Sequence, residues 1–163
     1  MDYIDNALIC ENGHMINDSM RTYPKYNKKF CDECGAKSIS NCPECGASIE
    51  GKEYIDHVID CFPTPVPKYC SECGKPYPWM KVKLDAVNEL IDLMDELNDS
   101  EKEGLKQGAL EVSSDNPKTE VGVLKIKKYL GKVGSGVADT VKEIIVQVAS
   151  ETAIKYMEKQ GMI

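Results

Sequence analysis

No stretch of this 163-residue chain stays apolar for the roughly 20 residues that a membrane-spanning helix requires. The opening, Met1-Asp2-Tyr3-Ile4-Asp5, is acidic and lacks the basic stretch and apolar run of a secretory signal, so a cytosolic protein with reduced thiols is expected. Positive charge is short: 20 Lys and Arg face 27 Asp and Glu, a net charge of −7. Strong nonspecific DNA binding rests on phosphate neutralisation, and this balance counts against it. The segment 131–136 is rich in glycine but is not a phosphate loop, because no Gly-Lys-Ser/Thr follows. No oxyanion element is recognisable, tryptophan occurs once, and cysteine is absent beyond Cys73. The last of these absences divides the chain. A cysteine-rich N-terminal module (residues 1–80) precedes a cysteine-free module (81–163) that ordinary burial must stabilise.

What the first module does have is four two-ligand knuckles: Cys10/His14, Cys31/Cys34, Cys42/Cys45 and Cys70/Cys73. In a reducing compartment Cys-x-x-Cys reads as a metal-binding turn rather than a disulfide. Such a turn points two thiolates at one ion, and the glycines after Cys34, Cys45 and Cys73 accommodate its backbone twist. Eight ligands suffice for two tetrahedral zinc sites with no position left open, and a saturated site is structural. His57/Cys61 is a competing pair for the vacancy that Cys10/His14 fills, but it lacks a glycine turn. Residues 1–80 carry 8 basic and 12 acidic side chains, so thiolates in excess of the ions would bring the metallated module to about −7.

The knuckles can pair in sequence (first with second, third with fourth) or crossed (first with third, second with fourth). Seven residues separate Cys34 from Cys42. If they run straight as one strand, five of them at about 3.3 Å each cover roughly 17 Å, a sensible separation between two centres. On that spacing, and on the similar Phe30-Cys31 and Tyr69-Cys70 starts, the crossed arrangement is expected. One site would hold Cys10, His14, Cys42 and Cys45, and the other Cys31, Cys34, Cys70 and Cys73. Short strands are expected before Cys10, over residues 37–40 and over 48–51. Residues 53–61 remain ambiguous between strand and helix. The three prolines in Phe62-Pro-Thr-Pro-Val-Pro67 impose an extended segment.

Beyond Pro78 the apolar period becomes helical. Leu84, Val87, Leu90, Ile91, Met94 and Leu97 form one stripe. Ser100 with Glu103 suggests a capping box opening a second helix to about Val112, weakened by Gly104 and Gly108. Asn116 as cap and Pro117 at the first helical position suggest a third helix to about Leu130. A fourth is expected from Val137 to Lys159. The expected fold class is α+β: a small β-rich, zinc-ribbon-like, cross-braced module followed by a bundle of about four helices.

Three further features bear on function. The segment 21–30 interleaves Arg21, Lys25, Lys28 and Lys29 with Tyr23, Tyr26 and Phe30, the chemistry of a single-stranded nucleic-acid surface. The plainer reading has these rings covering a small zinc core. Lys125, Lys127, Lys128 and Lys132 could dock an acidic partner or membrane surface, or simply complement a helix C-terminus. His57 and Cys61, with Asp56 and Asp60, are a nucleophile–base set in composition only, being too close in sequence for triad geometry. Trp79 is expected to pack where the zinc module meets the first helix.

Cys10-Glu-Asn-Gly-His14, Phe30-Cys-Asp-Glu-Cys-Gly35, Cys42-Pro-Glu-Cys45 with Gly51 following, and Tyr69-Cys-Ser-Glu-Cys-Gly-Lys-Pro-Tyr-Pro-Trp79 together resemble a bacterial zinc-ribbon family of unknown function. The resemblance covers about residues 8–80, and the helical half less distinctly. It implies a small cytosolic bacterial or phage-associated protein with zinc-ribbon modules, and it implies no activity. The expectation is therefore a non-enzymatic adaptor whose helical half oligomerises or docks a protein partner. A nucleic-acid-binding regulator using the 21–30 segment is the alternative, and a Cys61/His57 enzyme the more distant one.

Overall fold

A computed structural model describes residues 1–163, which divide into two compact units, Met1–Lys81 and Val82–Ile163. In the first unit, Ala7, Leu8, Ile9 and Cys10 form a continuous buried run, the pattern of a strand covered on both faces. Strand β2 (Leu8–Cys10) is accordingly central, lying antiparallel between β3 (Met15–Asn17) and β4 (Ser38–Ile39). A separate antiparallel pair joins β1 (Tyr3–Asn6) to β5 (Glu50–Tyr54), with Tyr3 opposite Tyr54 and their rings stacked at 5.0 Å. The expected strand at 48–51 therefore begins later, at Glu50; Ser48 makes only a bridge to Asn41. Residues 55–61 form neither strand nor helix.

Two polar features fasten this unit. The buried Asp5 carboxylate accepts from the backbone N–H groups of Arg21 (3.0 Å) and Thr22 (3.0 Å), from the Thr22 hydroxyl (2.7 Å) and from the Arg21 guanidinium (3.3 Å). Burial alone would raise its pKa; the Thr22 hydroxyl and the surrounding backbone N–H groups outweigh that and hold it far below the carboxylate range. Gly51 lies where the backbone crosses itself: a Cβ there would sit 2.1 Å from the Asp18 carbonyl oxygen, and Lys52 N–H donates to that same oxygen at 2.7 Å.

Five helices, rather than the expected four, follow: α1 (Pro78–Asp92), α2 (Asp99–Val112), α3 (Thr119–Leu130), α4 (Ser135–Val148) and α5 (Glu151–Lys159). The first turn of α1 belongs to the first unit. What looked like one helix from Val137 to Lys159 breaks because Ala149 turns extended (ψ 144°). Ser150 N–H then donates to the Val112 carbonyl while its hydroxyl accepts from Ala153 N–H, capping α5. The box that opens α2 is Asn98 with Glu101, not Ser100 with Glu103: the Asn98 amide oxygen accepts from Glu101 N–H at 2.9 Å, and Glu101 reciprocates at 3.1 Å. Helix α3 starts at Thr119, two residues after Pro117, because the Asn116 side chain closes a turn onto Lys118 N–H instead of capping the helix.

The core of the second unit is built from Val87, Ile91, Leu105, Val123, Ile126 and Ile145 with their buried neighbours. Helices α2 and α3 pack backbone against backbone where Gly108 meets Gly122. A Cβ on Gly122 would come within 2.9 Å of the Gly108 carbonyl oxygen, and one on Gly104 within 2.6 Å of the Tyr129 ring. The glycines that weaken α2 as an isolated helix are what let it pack. Beside this crossing, buried Glu111 accepts both Lys125 Nζ bonds, at 2.8 and 3.0 Å. No helix is long and apolar enough to cross a membrane.

Candidate metal centres

The three Cys-x-x-Cys turns are built alike. In each, the N–H of the first cysteine donates to a carbonyl five residues on: Cys31 to Ala36 (2.9 Å), Cys42 to Ala47 (2.7 Å) and Cys70 to Lys75 (2.9 Å). The glycine N–H returns a bond to the first cysteine's carbonyl at 2.8–2.9 Å, and Gly35, Gly46 and Gly74 take positive φ of 71–80°. The first turn is one residue tighter. Cys10 N–H donates to the His14 carbonyl (3.0 Å) and Gly13 N–H to the Cys10 carbonyl (2.8 Å), with Gly13 at φ 91°. Gly13 is also pressed against Trp79, whose Cβ would lie 2.9 Å from any Cβ added there. Trp79 is held in turn by its indole N–H on the Pro67 carbonyl (2.7 Å) and by stacking on Tyr77 at 4.7 Å.

The knuckles gather into two clusters, Cys10/His14/Cys31/Cys34 and Cys42/Cys45/Cys70/Cys73, with the ligand atoms of each within 4.8 Å of one another. Pairing is thus sequential, not the crossed order expected, in which Cys10 and His14 joined Cys42 and Cys45 while Cys31 and Cys34 joined Cys70 and Cys73. The spacing argument did not discriminate, because the second and third knuckles serve different centres in either arrangement. The antiparallel pairing of β2 with β4 decides it. Cys10 lies opposite Ser38, and Glu11 N–H bonds to the Lys37 carbonyl, which sets the first knuckle beside the second.

The cluster edges fit a bound ion. Two sulfurs each about 2.3 Å from a tetrahedral centre lie about 3.8 Å apart, and a sulfur and an imidazole nitrogen about 3.5 Å apart. The observed separations are 3.7 Å for Cys10–Cys34, 3.7 Å for Cys45–Cys70 and 3.8 Å for Cys42–Cys73. His14 Nδ1 is 3.5 Å from both Cys10 Sγ and Cys31 Sγ. The His14 ring would therefore offer Nδ1 to an ion held there, and its Nε2 lies 3.7 Å from the Glu33 carboxylate, the orientation that favours the Nδ1-ligating tautomer.

Metal ligation requires thiolates, and the surroundings shift the ligand thiols in both directions: burial and neighbouring sulfurs push Cys10, Cys45 and Cys73 up, whereas hydrogen bonds pull Cys34 and Cys70 down. Ala36 N–H and then the Asn12 side-chain amide hold the Cys34 thiol down at about 6; Cys73 N–H and then Glu72 N–H do the same for Cys70, also at about 6. Asn12, whose Nδ2 stands 3.4 Å from Cys34 Sγ, and Glu33 were not found from sequence. Neither position carries a signal beyond being polar within a knuckle.

The other candidates do not assemble. His57 and Cys61 lie outside both clusters in an exposed loop, with His57 at φ 67°, and the Asp60 carboxylate is turned to Phe62 N–H and Lys52. The lysines at the end of α3 are engaged within their unit: Lys125 on Glu111, Lys127 on the Gln160 carbonyl, Lys132 on Glu101 and Lys128 over the Tyr129 ring. In the 21–30 segment Tyr23, Tyr26 and Phe30 are about half exposed and so do not cover a core. Three of its four cations are already partnered, Arg21 with Asp5, Lys28 with Asp32, and Lys25 with the Tyr26 ring.

The sequence model of a bacterial family, described as "Uncharacterized protein conserved in bacteria (DUF2321)", matches residues 3–157. No curated protein and no solved structure matches the chain.

Proposed function

The chain belongs to the bacterial DUF2321 family, and from that premise we propose that it is a zinc-stabilised adaptor that binds protein partners and carries no catalytic centre of its own. The observation that carries this reading is the closure of both clusters. Each has four protein ligands at tetrahedral edge lengths, so an ion held there has no position for substrate or activated water. Three or four thiolates per site favour zinc over the harder divalent ions, and two-knuckle sites of this kind are the chemistry of zinc ribbons. Zinc then supplies folding energy, on the order of 10 kcal/mol per site, to a unit with a small apolar core. Reduced thiols also suit a cytosolic setting.

Affinity-tagged full-length protein, purified without chelator, is expected to carry two zinc ions per chain and to bring down a protein partner that is lost when the metal is stripped. Fewer than two ions, or turnover that follows bound metal, would overturn the reading. The exposed Tyr23, Tyr26 and Phe30 favour a second reading, single-stranded nucleic-acid binding. It requires salt-dependent RNA or DNA recovery that disappears when Tyr23, Tyr26 and Lys28 are replaced.

A further inference from the structure

The apolar side chains of the loop after β5 are held outside the core. Ile59 is 91% exposed and Phe62 80%, with Val58 and Ile55 about half exposed beside them. The loop that presents them is clamped. Lys52 Nζ bonds to the Phe62 carbonyl at 3.1 Å and pairs with Asp60 at 3.5 Å, while Asp60 accepts from Phe62 N–H at 2.8 Å. Val58 N–H closes a turn onto the Ile55 carbonyl, with His57 in the left-handed region at its centre. Downstream, the Thr64 hydroxyl donates to Asp18 at 2.6 Å and the Pro67 carbonyl accepts from Trp79. The extended proline segment is thereby tied down at both ends.

Two adjoining grooves result, of about 460 and 480 Å³. Both are lined by Glu53, Asp60 and Phe62; Ile55, Val58 and Ile59 are among the residues that also line the first, and Glu50, Pro63 and Pro65 among those of the second. Lys52 is the one cation in either lining, and Asp60 already occupies it. Glu50 and Glu53 therefore leave the rim negative; Asp56 within the loop is neutralised by the Met1 ammonium.

We propose that this face is a docking site for an extended segment of a partner protein that alternates lysine or arginine with large apolar side chains. The inference rests on the adaptor reading and specifies its contact surface. Charge complementarity selects the partner: apolar anchors fill the grooves while cations meet Glu50 and Glu53. The same rim disfavours a second copy of this chain, which would bring like charges together. Because the clamp orders the loop beforehand, binding does not have to order it.

The test uses the zinc-loaded full chain and a fluorescein-labelled nine-residue peptide of alternating lysine and leucine, read by anisotropy at low salt. Saturable binding is expected, weakening at least tenfold for Ile59→Ser/Phe62→Ser and also for Glu53→Lys. It should fall likewise when glutamate replaces lysine in the peptide, when serine replaces leucine, or at high salt. The substituted side chains are exposed, so zinc content and melting must match the parent protein. Absence of binding by the parent chain, equal binding by Ile59→Ser/Phe62→Ser, or equal binding of the glutamate peptide would each overturn the proposal. A concentration-dependent dimer abolished by Ile59→Ser/Phe62→Ser would overturn it too, by assigning the face to self-association. If the peptide fails while the tagged chain still recovers a zinc-dependent partner, this surface is wrong and the adaptor role stands. If neither binds, both fall.

Discussion

Sequential pairing of the knuckles can be tested with two reciprocal double substitutions. Cys10 and Cys34 belong to one cluster, with sulfurs 3.7 Å apart, whereas Cys10 and Cys45 belong to different clusters. Structural zinc sites bind with roughly 10–16 kcal/mol, which spread over four ligands makes each worth about 3–4 kcal/mol, or 10²–10³ in affinity. Cys10→Ser/Cys34→Ser should therefore weaken one site by about 10⁵ and leave the all-cysteine site untouched. Cys10→Ser/Cys45→Ser removes one ligand from each site and weakens both by about 10²–10³.

The assay is zinc per chain after dialysis against a chelator chosen to strip three-ligand sites and spare four-ligand ones. One ion is expected to remain in the first variant and none in the second. Crossed pairing predicts the opposite, one ion in Cys10→Ser/Cys45→Ser and none in Cys10→Ser/Cys34→Ser. Since each variant loses the same number of thiols, a general cost to folding cannot produce the reversal, and observing it would refute the arrangement described here.

Other outcomes follow from the packing. Gly51→Ala forces a Cβ to 2.1 Å from the Asp18 carbonyl and should cost several kcal/mol in urea unfolding, whereas Gly136→Ala, with open space around it in α4, should stabilise by about 0.5–1 kcal/mol. Equal effects at the two positions would contradict the close crossing at Gly51. Asp5→Asn removes a charged acceptor of several buried bonds and should cost about 2–3 kcal/mol at neutral pH. Its pH signature has a definite sign: the folded pKa lies below the ordinary 3.8, so the stabilisation is complete above that value and drains away as pH falls through the lower folded pKa. Acid titration of stability should be steeper below 3.8 in the parent than in Asp5→Asn, and parallel curves would exclude the carboxylate. Lys125→Met strands the buried Glu111 carboxylate and should cost about 3 kcal/mol, most of it recovered in Glu111→Gln/Lys125→Met. A double substitution no more stable than Lys125→Met would rule that account out.

What could be read in the sequence was whatever depends on residues close together along the chain. The knuckle turns, the extended proline run and the helical stripe through Val87, Ile91, Met94 and Leu97 are local patterns with local causes, and each appears in the structure. The stripe outlasts its helix: α1 ends at Asp92, yet Met94 and Leu97 remain buried, so burial persisted where helical backbone did not. Helix starts were ambiguous because Asn98-x-x-Glu101 and Ser100-x-x-Glu103 satisfy the same rule; only the reciprocal bond from Glu101 separates them. The break at Ser150 was hidden because Val148, Thr152 and Tyr156 continue the period of α4, and the Val112 carbonyl that draws Ser150 N–H lies far away in sequence. Metal pairing was illegible for the same kind of reason, being fixed by a strand register between residues about 30 apart.

These observations assign distinct tasks to the first unit's apolar residues. Its buried set is small, centred on Ile9, Ile49, Trp79 and Met80, and a core of that size would ordinarily need every large side chain available. Ile55, Val58, Ile59 and Phe62 are nevertheless held outward by polar contacts from Lys52 and Asp60. A fold stabilised by burial alone would gain about 1.5–3 kcal/mol from each such side chain it enclosed. A fold held by two four-ligand centres does not depend on that gain, because on the zinc reading each ion contributes several times as much. On that reading metal stabilisation frees these residues from the core and accounts for an exposed apolar face on an acidic protein without appeal to instability. The ions would then act at a distance from any partner, by bracing the unit whose loop after β5 presents that face.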